Sequence, residues 1–214
     1  MGQLKLLYRG AEADVFAGEW CGTPAVYKVR KPLPYRLPEL DTLIRSQRTS
    51  REAQMLHLSK EAGVSAPHVL YVSPAEALLV MEFLQGNRLK VLLEAGPPKA
   101  KVEALGQEFG RSVAKLHAAG IMHGDLTTSN VIVRDGEISL IDFGLSVRSH
   151  RLEDHAVDLR LIKETVTGAH HPVSKGFMAA FLEGYSSVVG EEKAEAARRQ
   201  LAEIERRGRY ARVE

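Results

Sequence analysis

The stretch KPLPYRLP, with Pro32, Pro34 and Pro38, separates two hydropathic regimes in this chain. Proline fixes φ and lacks a backbone N–H, so neither a central strand nor a helix interior runs through such a segment. Regular structure is expected to resume at about Asp41. Upstream, KLLYRG and ADVFAGEW read as strands around a tight turn, and PAVYKVR as a third strand rich in β-branched and aromatic residues. Downstream, LDTLIRSQRTSREAQMLHLSKEAG carries a helical period that ends at Gly63. HVLYVS and ALLVMEFL return to strand. In KVEALGQEFGRSVAKLHAAG, the residues Val102, Leu105, Phe109, Val113 and Leu116 form one helical stripe, with Gly120 as the stop. VIVRDGEISLID is a hairpin turning at Asp135-Gly136, and the chain beyond His150 is mainly helical, closing with GEEKAEAARRQLAEIERRG. The expectation is an α+β chain: a five-strand lobe with one helix, then a mostly helical lobe.

At 214 residues and 44% hydrophobic content the chain can bury a substantial core in one large domain or two small lobes. No apolar run approaches the roughly 20 residues that span a bilayer, and MGQLKLLYRG lacks the apolar core of a targeting segment. No membrane association is expected. Cys21 is the single cysteine, which excludes an internal disulfide framework and suits a reducing cytoplasm. A formal charge of +2 does not by itself argue for nucleic-acid binding; the placement of the charges must carry that claim.

The chemistry concentrates in HGDLTTSN, residues 123–130, followed by IDFG at residues 141–144. An aspartate in a loop can accept or orient a hydroxyl or water proton. An amide oxygen five residues later and a carboxylate just after a short strand can together ligate magnesium on nucleotide phosphates. Phosphoryl transfer needs such a set, because its catalysis is mostly positioning and charge neutralisation. Asp125 is the candidate base or nucleophile-orienting group, with Asn130 and Asp142 as metal ligands. Each alone is an ordinary turn or strand-exit residue; the three in this order around a hairpin are not. Lys28 lies inside the apolar run AVYKVR, where an ammonium is costly without a partner. Phosphate and a helix carboxylate would both serve. Glu52 is the candidate carboxylate, with Glu39 and Glu61 as competitors.

A glycine turn, a lysine strand, a glutamate helix and then HGD follow one another as they do in protein kinases, which the chain resembles. The resemblance implies a reduced two-lobed kinase fold. The five-stranded N-lobe spans 1–84, a minimal C-lobe 85–189, and a C-terminal helix with a basic tail 190–214. It also implies that ATP lies under the turn Gly10, Ala11, Glu12, Ala13, with Lys28 and Glu52 at its phosphates. Glu82 and Leu84 would offer backbone groups to adenine, and Met81 would guard the pocket. The departures are specific. Gly124 stands where HRD has arginine, and Thr127 where a lysine normally contacts the transferring phosphate. Glu12 puts an acid at the loop tip, repulsive to phosphate unless a cation intervenes. Gly144 and Asp158 are only 14 residues apart, with no APE-like sequence between them, so the peptide-docking segment is missing.

These departures, with RGAEADVF, VYKVRKPLPYRLPELD, RTSREAQML, MEFLQG, HGDLTTSN, IDFGLS, EDHAVDLR and ERRGRYARVE, resemble the small atypical kinase subunit of the KEOPS complex, in its free-standing archaeal form. The resemblance covers nearly the whole chain; His155 replaces the lysine of that family's EDKAVDL and carries no assigned role. It implies an ATPase, using ATP and magnesium, stimulated by a threonylcarbamoyl transferase subunit and by tRNA, with a further small subunit on the N-lobe. A serine/threonine protein kinase, autophosphorylation included, is the alternative, and a nucleotide-binding scaffold the second alternative. In the tail, Arg206, Arg207, Arg209 and Arg212 are candidate contacts for tRNA or a partner. Gly208 is expected to end the helix near Arg207, with Tyr210 as a stacking group.

Overall fold

The structure, a computed structural model, describes the chain from residue 4 to residue 210, with side chains described as far as Arg207. It divides into two compact units, one taking in the chain to Leu58 together with Ala66–Leu84, the other Ser59–Ser65 and the chain from Gln85.

The first unit is a five-stranded antiparallel sheet built from β1 (Lys5–Arg9), β2 (Ala13–Trp20), β3 (Thr23–Arg30), β4 (Val69–Ser73) and β5 (Leu78–Glu82), ordered β1-β2-β3-β5-β4. Register assigns its faces. Leu6, Phe16, Tyr27, Val80 and Tyr71 are successive cross-strand partners and share one face. Trp20 stacks on Tyr71 at 5.0 Å and meets Tyr27 edge-on, and Val80 is fully buried. The opposite face carries the row Val15, Lys28, Leu79 and Val72. The helix α1 (Pro38–Glu61) supplies that row with the carboxylate of Glu52. α1 starts three residues before the expected Asp41, because Pro38 occupies the first turn, where a missing N–H costs nothing. Asp41 instead fixes the proline segment: its carboxylate accepts from the Leu33 N–H at 3.3 Å and the Arg45 Nε at 2.7 Å.

The second unit opens with the two-residue strand β6 (Asn87–Arg88) and the short helix α2 (Leu89–Glu94), neither signalled by the sequence pattern. α3 (Lys99–Ala118) follows and buries the whole expected stripe from Val102 to Leu116. β7 (Ile121–Met122) leads to the loop HGDLTTSN, whose last residues Thr128–Asn130 form a 3-10 turn. The hairpin β8 (Val131–Arg134) and β9 (Glu137–Leu140) comes next, then β10 (Val147–Arg148), paired with β7. α4 (Leu152–Ala169), α5 (His171–Val189) and α6 (Glu191–Tyr210) complete the unit.

α3 and α5 pack backbone to backbone. A Cβ on Gly110 would run into the Phe181 carbonyl oxygen, and one on Gly184 into that of Gln107, so this approach requires glycine on both helices. Phe109 fills the space beside them, in contact with Phe177 and Phe181. α6 runs through Gly208 to Tyr210, so the expected stop near Arg207 is wrong. A glycine inside a helix costs only about 1 kcal/mol, and burial of Ala194, Ala197 and Leu201 keeps α6 in place. Among the described residues no helix is long and apolar enough to cross a membrane.

Candidate functional site

In the first unit, Lys28 Nζ lies 2.7 Å from Glu52 Oε1, and Arg30 Nη2 lies 2.6 Å from Glu52 Oε2. All three side chains are buried. Glu52 thus joins two cations from alternate positions of one strand, while its competitors Glu39 and Glu61 are exposed. Arg30 was not anticipated, although period-two alternation in YKVR puts it on the face of Lys28. The turn between β1 and β2 is closed by the Gly10 N–H on the Ala13 carbonyl at 2.9 Å. Ala11 and Ala13 give it small side chains. Glu12 turns its carboxylate to Arg36 and Arg48, so cations do accompany the loop acid. At the end of β5, Met81 is buried. The Glu82 N–H donates to the His68 carbonyl at 2.8 Å and the Phe83 N–H to Pro24 at 3.2 Å, while the Glu82 carboxylate accepts from the His68 N–H. Glu82, which ends this strand, and Leu84 beyond it are the residues expected to offer backbone groups to adenine.

In the second unit, the loop folds so that the Asn130 amide donates to both the Asp125 carbonyl, at 2.9 Å, and the Asp125 carboxylate, at 2.8 Å. This orients the carboxylate and engages the amide through Nδ2, the Oδ1 being the atom of Asn130 that could ligate a cation. The β8–β9 ladder extends by one bond, Ile141 N–H to Asn130 carbonyl at 3.0 Å, which brings Asn130 beside Asp142. Asp142 adopts φ +62°, a conformation that L-residues rarely hold, and accepts from the Gly144 N–H at 3.3 Å. Among the described residues no three His, Cys, Asp or Glu side chains cluster as a metal cage. An amide oxygen and a carboxylate suit Mg²⁺, which keeps several waters and takes one or two protein oxygens together with substrate phosphates.

Beneath the loop lies a residue whose role the sequence did not disclose. Asp158 on α4 is fully buried and accepts from the His123 N–H at 2.6 Å, the Gly124 N–H at 2.9 Å and His117 Nε2 at 3.2 Å. Desolvation acts to raise its pKa, but the hydrogen bond and charge of His117, with the N–H of His123, hold it below the ordinary value. His117 is fixed in turn by the Tyr185 hydroxyl at 2.9 Å and by His155, stacked flat on it at 4.3 Å. Burial pushes the His123 ring down against the charges of Asp158, Asp142 and Asp125. A neutral ring fits its contacts, with Nε2 donating to the Ile141 carbonyl at 3.2 Å. The available signal was an acid in the apolar stripe HAVDLRLI, untenable without partners. Gly124 sits at φ +81°, and a Cβ there would lie 2.5 Å from the Leu145 carbonyl oxygen, so no arginine fits this position. Thr127 accepts the Asn130 N–H through its carbonyl at 3.1 Å. Thr128, buried beside it, hydrogen-bonds His170 Nε2 at 3.0 Å. From Gly144 the chain passes directly through β10 into α4, with no peptide-docking helix between them.

Of the tail candidates, Arg206 and Arg207 do not join these groups. Arg206 is exposed, and Arg207 pairs with Glu153 on α4 at 3.3 Å and with Glu203 at 3.6 Å. The Arg209 side chain and Arg212 lie outside the described residues.

The protein kinase domain family matches residues 35–171. KEOPS complex subunit Bud32 of Pyrococcus abyssi is 40% identical over 213 residues, covering 97% of this chain and 96% of the relative. A probable bifunctional tRNA threonylcarbamoyladenosine biosynthesis protein of Methanothermobacter thermautotrophicus is 37% identical over 205 residues, 96% of this chain but only 36% of that protein. Among solved structures, WaaP in complex with acyl carrier protein matches with a TM-score of 0.69 at 18% identity, over 98% of this chain and 89% of that one. The Rio2 kinase of Chaetomium thermophilum in an ADP/Mg²⁺-phosphoaspartate complex gives 0.63 at 15%, over 94% and 70%. At such identities these structures speak for the kinase-like fold alone. The match along nearly the full length of both chains decides the family: this chain belongs to the Bud32 family, built on the protein kinase domain.

Proposed function

We propose that this chain is the ATP-hydrolysing subunit of a KEOPS complex, stimulated by its threonylcarbamoyl transferase partner and by tRNA, and that it works with them in the cytoplasm. One observation carries the choice of water as acceptor: eight residues, 144–151, join the Asp142 loop to α4, leaving no platform for a peptide. The relatives' names supply the complex and the tRNA modification.

In this reading ATP with Mg²⁺ supplies the transferable phosphoryl group and neutralises the charge developing on it. Lys28, held by Glu52, binds the α and β phosphates. Asn130 Oδ1 and Asp142 would hold Mg²⁺. Asp125, turned by the Asn130 amide, accepts a hydrogen bond from the attacking water and takes its proton. Asp158 keeps the backbone just before Asp125 in register without touching the nucleotide. The edge strand β1 exposes Leu6, Leu7 and Tyr8, an apolar edge of the kind proteins cover or pair, which supports a small subunit docking on the first unit.

The test is Asp125→Ala in the intact chain. Turnover is expected to fall by about a hundredfold or more, the usual scale for a positioned acid or base, while Mg-ATP still binds. Hydrolysis near the parental rate would remove Asp125 from the mechanism.

A further inference from the structure

The acid at the tip of the glycine turn is paired in a way the kinase resemblance does not explain. The turn is pinned at three levels. The Lys31 N–H donates to the Glu12 carbonyl at 2.9 Å. Lys31 Nζ reaches the Gly10 carbonyl at 2.7 Å and Asp14 Oδ1 at 3.0 Å. The Glu12 carboxylate binds Arg36 Nη2 at 3.0 Å and Arg48 Nη1 in a short contact. Desolvation acts to raise the Glu12 pKa, but hydrogen bonds and charges from Arg36 and Arg48 hold it below the ordinary value, so the acid is an anion. Arg36 also lies 3.7 Å from Asp41, whose other oxygen is taken by Arg45. Three guanidinium groups therefore surround two carboxylates, and each Glu12 oxygen is met by its own cation. Arg48 stands one helical turn before Glu52 on α1, so a single helix face holds both the turn and the lysine's partner.

Resting on the proposed reading that ATP phosphates lie under this turn, we infer that Arg36 and Arg48 are positioning residues for the nucleotide: acting through Glu12, they cancel its charge and convert a repulsive loop acid into the anchor of the turn. The two cations do not bind phosphate themselves. Removing one exposes the polyphosphate to part of the Glu12 charge, and removing the Glu12 charge as well abolishes that penalty.

The experiment is a Mg-ATP titration of the whole chain, parent against Arg48→Gln, Arg36→Gln, Glu12→Gln and the Glu12→Gln/Arg48→Gln pair, with thermal unfolding of each. Arg48→Gln is expected to raise Kd by roughly threefold to tenfold, the effect of one partly screened charge several ångströms away, and by less in high salt. Adding Glu12→Gln should bring Kd back to near the parental value. A structural role would shift the unfolding temperature without this suppression. If the pair binds as weakly as Arg48→Gln alone, or if neither arginine substitution moves Kd, the inference is overturned. Because the readout is binding, a parent that binds Mg-ATP without hydrolysing it would sink the proposed ATPase and leave this test intact; a parent that does not bind Mg-ATP would overturn both.

Discussion

Asp158→Ala tests how the loop HGDLTTSN is held. Asp158, fully buried, accepts two backbone N–H groups, from buried His123 and half-buried Gly124, and the buried His117 ring. Alanine leaves two buried donors and one half-buried donor without this acceptor. At about 1–3 kcal/mol for each unsatisfied group, the loss is roughly 3–6 kcal/mol or more, a large part of the roughly 5–15 kcal/mol that stabilises a whole domain. Asp158→Asn keeps one acceptor oxygen but turns an NH2 group toward a donor, so it should lose less and remain folded. Urea unfolding followed by far-ultraviolet circular dichroism measures both. In the folded asparagine variant, hydrolysis should fall further than Mg-ATP binding, because the displaced backbone leads directly into Asp125. The pH dependence has a fixed sign. The folded pKa of Asp158 is lowered, so its stabilisation is present above the unfolded value of about 3.9 and is lost as pH falls through the lower folded value. The stability gap between parent and Asp158→Asn should hold at neutral pH and close only in that acid range. An Asp158→Ala midpoint equal to the parent's would refute the reasoning.

Two further outcomes follow from the same geometry. Lys28→Ala and Glu52→Ala should be non-additive in hydrolysis. Glu52→Ala should be the more destabilising, by about 3–5 kcal/mol in all, because it takes one carboxylate from two buried cations whereas Lys28→Ala leaves Arg30 on Glu52; equal unfolding midpoints would contradict this. Thr128→Val removes the hydroxyl that His170 contacts in the turn carrying Asn130, so the Mg²⁺ concentration for half-maximal hydrolysis should rise in a magnesium titration, and an unchanged requirement would separate that contact from the metal site.

The strands of the first unit and the stripe of α3 were legible because period-two and period-3.6 patterns report burial on one face directly. The Lys28–Glu52 pair was legible for a different reason: a lysine in an apolar strand demands an anion, and the order of motifs narrows the choice. What escaped depends on tertiary approach. Arg30 shares Glu52 only because α1 crosses that face of the sheet, and Gly110 and Gly184 read as neutral helix residues until two backbones meet over them. Asp158 looked like one charge among several in EDHAVDLR; its value lies in the loop N–H groups it accepts, which no spacing rule connects to α4. Pro38 and Gly208 misled in the same way, since a local breaker yields where it sits in a first helical turn or where the surrounding helix is packed.

Whether water is the acceptor turns on phosphate release from γ-labelled ATP by the purified chain, alone, with the threonylcarbamoyl transferase, and with transferase plus tRNA, while label on protein is followed in the same tubes. Release is expected to rise with the partner and again with tRNA, label on protein to stay a minor fraction of the ATP consumed, and Asp125→Ala to abolish the rise. Label on protein matching the ATP consumed, or release indifferent to partner and tRNA, would contradict the assignment.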